Sequence, residues 1–190
     1  MTLLAKNWWF PGRAAAPYDS KAAFSQLYDE THRSLYRYVY GLSGSTTQDA
    51  EDITAQTYLK AWDHRKQFSG TPEQVKGWLF TIAKRIVIDR YRKQQIRPQS
   101  VHIDEAFLVS SDASPEEKAV IAEQIQTLWI LLQDLSTENR EMIVLRYMVG
   151  WPVKDIAAHM DMNPNTVSVR LSRVLEQLKG TWKQHEVQEG

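Results

Sequence analysis

WPVKDIAAHMDMNPNTVSVRLSRVLEQLK, residues 151–179, carries two helical apolar patterns separated by a three-residue break. In the first pattern Ile156, Ala157 and Met160 fall on one side, and Ala157 is small enough for a close helix crossing. Asp161 stands where the break needs a left-handed residue, a place that suits Gly first and Asp or Asn next. Asn163 supplies a side-chain cap and Pro164 takes the first position of the second helix. In that helix Val167, Leu171, Val174 and Leu178 form the stripe expected to be buried, which turns Asn165, Thr166, Ser168, Val169, Arg170, Ser172 and Arg173 outward. Helices joined in this way make a helix-turn-helix, whose second helix reads bases with its N-terminal residues while nearby Arg and Lys hold phosphates. A plain helical hairpin with a polar face is the alternative, and the coincidence of turn residue, cap, proline and small alanine favours DNA.

Upstream, Ser136 caps a helix read through Met142, Ile143, Leu145 and Tyr147 to Gly150. Ser114, Pro115 and Glu117 form a capping box for another, with Val120, Ile125, Leu128, Leu132 and Leu135 on its apolar side. The segment before it, QSVHIDEAFLVSSDAS (99–114), is polar, acidic and without helical period, and reads as a linker. Three further helices precede the linker. The first carries Phe24, Leu27, Tyr28, Thr31, Leu35, Tyr38, Val39 and Leu42, with Gly41 and Gly44 expected to close it. The second starts near Thr47–Asp49 and places Ala50, Ile53, Thr57 and Ala61 on one stripe. The third carries Val75, Trp78, Leu79, Ile82 and Ile86, which makes Trp78 a core residue rather than a base-stacking platform. Residues 64–73, HRKQFSGTPE, read as a loop. No alternating strand pattern occurs. The expectation is an all-α chain: two small helical domains joined by an acidic flexible linker, the C-terminal one containing the helix-turn-helix. The boundaries are a mobile tail over 1–21, a first domain over 22–97, a linker over 98–115, a second domain over 116–182 and a tail over 183–190. Trp8, Trp9 and Phe10 in the first tail are either a partner anchor or a segment that folds onto the domain.

The chain has 190 residues and no cysteine, which excludes disulfides, zinc fingers and cysteine catalysis. No apolar run approaches the roughly 20 residues needed to span a bilayer, and the start lacks an apolar signal core, so a cytoplasmic protein without membrane insertion is expected. The five histidines are scattered, and no metal, cofactor or catalytic centre is expected. Net charge is zero, yet residues 65–97 hold nine Lys/Arg against two Asp/Glu, and residues 98–141 hold two against nine. Such asymmetry points to an electrostatic partner, although two solvated helix faces would give the same count.

Three segments in this order, DAEDITAQTYLKAW (49–62), KGWLFTIAKRIVIDRYRK (76–93) and LSTENREMIVLRYMVGWPVKDIAAHMDMNPNTVSVRLSRVLEQL (135–178), resemble the extracytoplasmic-function (ECF) sigma factors, over residues 22–182. The resemblance implies a subunit that binds core RNA polymerase and recognises and melts promoter DNA. It implies that the helix bearing Asp49, Asp52, Gln56, Lys60 and Asp63 docks on the clamp helices of the β′ subunit, and that the C-terminal domain meets the β flap. Arg65, Lys66, Phe68, Ser69, Lys76, Lys84, Arg85, Arg92 and Lys93 would serve the minus-ten element, the loop before the third helix pocketing an extruded base. Asn165, Thr166, Ser168, Val169, Arg170 and Arg173 would serve the minus-thirty-five element. The acidic linker would thread the channel through which RNA leaves, and an anti-sigma factor is implied as partner. Pro152, Asp161 and Ser168-Val169 depart from the family's usual residues, so promoter preference is not carried over.

Two other readings stay open. A conventional activator or repressor would use residues 22–97 as a sensing domain and bind duplex DNA without polymerase. A nucleic-acid enzyme would hold Mg²⁺ on Asp49, Glu51 and Asp52, a single acidic turn with no second carboxylate cluster.

Overall fold

The computed structural model describes residues 18–44, 46–68, 70–94 and 114–189. The regular elements among them are all helical: α1 (Lys21–Ser43), α2 (Thr47–His64), a 3-10 turn (Arg65–Gln67), α3 (Pro72–Gln94), α4 (Pro115–Gln133), α5 (Thr137–Ile143) running into a π-helical turn (Val144–Val149), α6 (Val153–Met160) and α7 (Pro164–Glu189). The linker up to residue 113, the first 17 residues and Ser69 lie outside the described residues.

Hydroxyl caps set the helix starts. Ser20, Thr46, Ser114 and Ser136 each accept a backbone N–H three residues on, and Glu117 completes the capping box by reaching back to Ser114 N at 2.8 Å. Glu116 and Glu117 both lie in the first turn of α4.

α1, α2 and α3 pack together through Leu27, Leu35, Val39, Ile53, Ala61, Val75, Leu79 and Ala83, all essentially inaccessible to water. Three buried threonines share this core without an unmet hydroxyl: Thr31, Thr54 and Thr57 donate to the carbonyls of Leu27, Ala50 and Ile53 at 2.5–2.7 Å. The second group of helices closes on Trp129, Leu132, Leu145, Ile156, Val167 and Leu171.

The two groups share one core. Tyr40 meets Trp129 edge to face with centroids 5.0 Å apart, and Phe80 lies against Trp151 at 4.8 Å. Gly41, read from sequence as a helix terminator, sits inside α1; a Cβ there would come within 2.6 Å of Met148 Sδ and 2.9 Å of Val144 Cγ1. Its service is close approach between the halves, while Gly44 ends α1 with φ 58°. The segment expected as one helix up to Gly150 widens after Ile143 into the π turn, ended by Gly150 at φ 85°. Residues 141–145 are buried without interruption, because this stretch is enclosed on all sides by α1, α6 and α7.

Two further boundaries differ from the sequence reading. The loop expected over 64–73 is mostly helical turn, and α7 runs to Glu189 rather than stopping near Trp182. After Gly180 the sequence has no proline or glycine before Gly190, and Lys183, Gln184 and Glu186 favour helix, so nothing stops it.

Candidate nucleic-acid interface

The turn between α6 and α7 has the chemistry its sequence predicts. Asp161 takes φ 54° and ψ 48°, the one positive-φ residue other than glycine among the described residues. Met162 N–H reaches back to Ala157 O at 2.9 Å, and Asn163 Oδ1 accepts Asn165 N–H at 2.9 Å. Ile156, Ala157, Val167, Leu171 and Val174 lock α6 onto α7 from within. Asn165, Thr166, Ser168, Val169 and Arg173 are left exposed on the first turns of α7. Arg170 is half-buried and held by Glu138 at 3.1 Å, beside a shallow depression of about 350 Å³ that Arg173 also lines. Pro152 occupies the cap of α6 with no side-chain bond, so that helix start relies on packing.

The cations around α3 do not form a single face. At about 100° per residue, Arg85 and Arg92 share one side, whereas Lys76 lies half a turn away from Arg85. All three are exposed, as is Lys66 on the 3-10 turn; the side chain of Lys93 is outside the description. Arg65 is already engaged: it donates to Trp62 O at 2.7 Å and Asp19 O at 3.1 Å, and its guanidinium lies 3.6 Å from the centre of the Trp62 ring. Phe68, expected to face DNA, is 3% exposed and packs on Trp78 at 5.0 Å, so it shapes the connection from beneath and offers no surface to a base. Trp78 is partly buried against the core.

On α2, Asp52, Gln56, Lys60 and Asp63 are exposed along one side. Asp49, expected with them, turns to α3 and pairs with Arg90. Its carboxylate, still 36% exposed, is thus shared with α3, and among the described residues no three His, Asp or Glu side chains converge as metal ligands.

Lys84 leads to the feature that sequence reading missed. Its ammonium lies 2.6 Å from Glu141, a fully buried carboxylate on α5 that also accepts from Tyr38 Oη at 2.8 Å and contacts His159 Nε2 at 3.3 Å. Burial alone would raise the Glu141 carboxyl, but the His159 hydrogen bond and the Lys84 charge outweigh it and hold the group below its ordinary value. Tyr38 is pushed well up, first by burial and then by the neighbouring carboxylate. Close by, Arg140 donates to the carbonyls of Leu132, Gln133 and Leu135 on its own side and to Leu42 on α1, satisfying helix ends that would otherwise be orphaned. Glu141 and Arg140 thus bind helices of the first half to helices of the second. Nothing local marks it: Glu141 follows Glu138, Asn139 and Arg140 and reads as the last charge of a polar helix start.

The Sigma-70 region 2 family matches residues 27–96 and the Sigma-70 region 4 family matches residues 125–178. The ECF RNA polymerase sigma factor SigL of Mycobacterium tuberculosis is 32% identical over 170 residues, which cover 90% of this chain and 93% of that protein. The chain belongs to the ECF family of RNA polymerase sigma factors. SigX of Bacillus subtilis, another ECF sigma factor, is 26% identical over 82% of the chain and 81% of its own length. Among solved structures, the sigma factor RpoE of Bartonella quintana, crystallised with the anti-sigma factor NepR, is similar with a TM-score of 0.64 and 26% identity, covering 84% of this chain and 96% of that one. As an ECF sigma factor the protein directs promoter-specific initiation by RNA polymerase; its region 2 match falls on α1–α3 and its region 4 match within α4–α7. No helix among the described residues is long and apolar enough to cross a membrane.

Proposed function

We propose that this ECF sigma factor reads the minus-thirty-five element with Asn165, Thr166, Ser168, Val169 and Arg173 of α7, and Arg170 once it exchanges Glu138 for phosphate. The observation that carries this reading is the α6–α7 turn, where Asp161, Asn163 and Pro164 set a helix whose first turns are polar and exposed and whose opposite side is buried. Region 2 grips the minus-ten element with Arg85 and Arg92 on one side of α3, and with Lys84 when Glu141 releases it. Asp52, Gln56, Lys60 and Asp63 form the strip for the β′ clamp helices. Region 4 meets the β flap, and an anti-sigma factor of the kind seen with the Bartonella protein holds the subunit in reserve. Residues 22–97 and 116–182 are the working domains, with 98–115 as a linker along the RNA exit path. The protein acts in the cytoplasm, has no catalysis of its own and needs no cofactor.

The test is reconstitution with core polymerase and run-off transcription on a genomic promoter library. Specific transcripts that depend on the added subunit are expected. Sequence-specific binding to duplex DNA without polymerase, and no effect on initiation, would instead make the protein a conventional activator or repressor.

A further inference from the structure

We propose that the aromatic segment Trp8-Trp9-Phe10 of this chain seats in the groove between α1 and α2. The groove encloses about 720 Å³ and is walled by rings: Phe24 meets Trp62 edge to face at 5.1 Å, and Tyr28 lies 4.7 Å from Tyr58. Its mouth leaves Leu59 67% and Tyr28 41% exposed, apolar surface that a soluble protein rarely leaves contiguous without a partner. Rings already in edge contact present further edges and faces, and aromatic side chains are the groups that fill such gaps best.

The path of the chain selects this occupant. Ser20 caps α1, and Asp19 just before it is tied to Arg65, whose guanidinium covers Trp62, one wall of the groove. The chain therefore leaves the described fold at Tyr18 beside one end of the groove. Eight residue steps lead from Tyr18 to Phe10, enough to span roughly 26–29 Å when extended. The groove follows α1 from Phe24 to Tyr36, about 18 Å at 1.5 Å per residue. Every point of it lies within reach, and so short a tether holds the three aromatic side chains at a millimolar-order local concentration, far above that of any free partner. The segment has no other apolar cluster of this size, and its remaining residues, with Pro11, Gly12 and Pro17, are suited to an extended connection.

The absence of cysteine makes the test direct, since one introduced thiol is the only attachment point. Full-length protein carrying Lys6→Cys with a nitroxide label is compared with its reduced form by the amide signal intensities of α1 and α2. At dilute concentration the signals of Phe24, Tyr28, Ala55 and Leu59 should lose more than half their intensity. They should recover when Leu59→Glu or the triple change of Trp8, Trp9 and Phe10 to Ser is added. Leu59 lies outside the core, so its substitution leaves the fold intact, checked by circular dichroism. Broadening that merely decays with distance from Tyr18 and ignores both changes would overturn the proposal. So would broadening seen only when labelled and isotope-enriched copies are mixed, which would make the occupant a second copy. No polymerase enters the experiment, so its failure would leave the transcriptional role untouched.

Discussion

Replacing Glu141 by Gln keeps the shape of the side chain and removes the charge that Lys84 and His159 address. Losing one partner of a fully buried pair costs about 3 to 5 kcal/mol. Lys84 is 32% exposed and regains water, so about 2 to 4 kcal/mol is expected here, read from the urea midpoint at neutral pH. The pH dependence follows from the lowered carboxyl. Its contribution is complete above the ordinary value of 4.5 and is lost as pH falls below that through the folded-state value, so the gap between wild type and Glu141→Gln should close under acid. A gap that stayed constant down to acid pH would show that the charge of Glu141 does not stabilise the fold. Arg173, by contrast, lies exposed on the first turns of α7; on the proposed reading Arg173→Ala should weaken minus-thirty-five binding by about 1 to 3 kcal/mol while leaving the melting temperature unchanged. Normal transcription from promoters dependent on that element would remove it from the interface.

At the scale of elements, the α6–α7 turn is defined by a non-glycine residue in the left-handed region. Asp161→Gly should stabilise the protein by about 0.5 to 1 kcal/mol, and Asp161→Val should cost about 1 to 2 kcal/mol, since a β-branched side chain tolerates that backbone poorly. Both are measured as shifts in denaturant midpoint; an unstable Gly variant would mean that the Asp161 side chain has a role of its own. This turn was legible in the sequence because each of its determinants acts within three residues: Asp161 for backbone, Asn163 for the cap, Pro164 for the first helical position. The capping box at Ser114 and the stripe Ala50, Ile53, Thr57, Ala61 were legible for the same reason. Gly41 was misread because its nearest neighbours, Val144 and Met148, lie about a hundred residues away, and an intrahelical glycine looks like a stop when that contact is unknown. Phe68 looked like a loop residue for want of knowing that Trp78, ten residues on, covers it. The contact from Tyr38 to Glu141 spans 103 residues and leaves no periodic trace.

For the whole molecule, one core spanning both halves conflicts with simultaneous use of both DNA surfaces. Elements centred 35 and 10 base pairs upstream lie roughly 85 Å apart at 3.4 Å per base pair. A compact chain of this length has a radius of gyration of about 16 Å, too small to bridge them. If both surfaces are used as proposed, the halves part on the way to a promoter, breaking the Glu141 contacts and uncovering Tyr40, Phe80, Trp129 and Trp151. Donor and acceptor dyes on Lys21→Cys and Lys183→Cys should show lower transfer efficiency once core polymerase is added. Unchanged efficiency would mean that the closed arrangement survives in the holoenzyme. The pairing of Lys84 with Glu141 also bears on thermodynamics in salt solution. A lysine already neutralised from within displaces no ion from the DNA atmosphere, so the closed form should give up one fewer counterion on binding than its exposed charge suggests. Measured without core polymerase, where the halves stay together, freeing Lys84 through Glu141→Gln should steepen the dependence of log affinity on log salt concentration by about 0.9 for duplex DNA. An equal slope for the two proteins would show that Lys84 meets phosphate whether or not its buried partner is present.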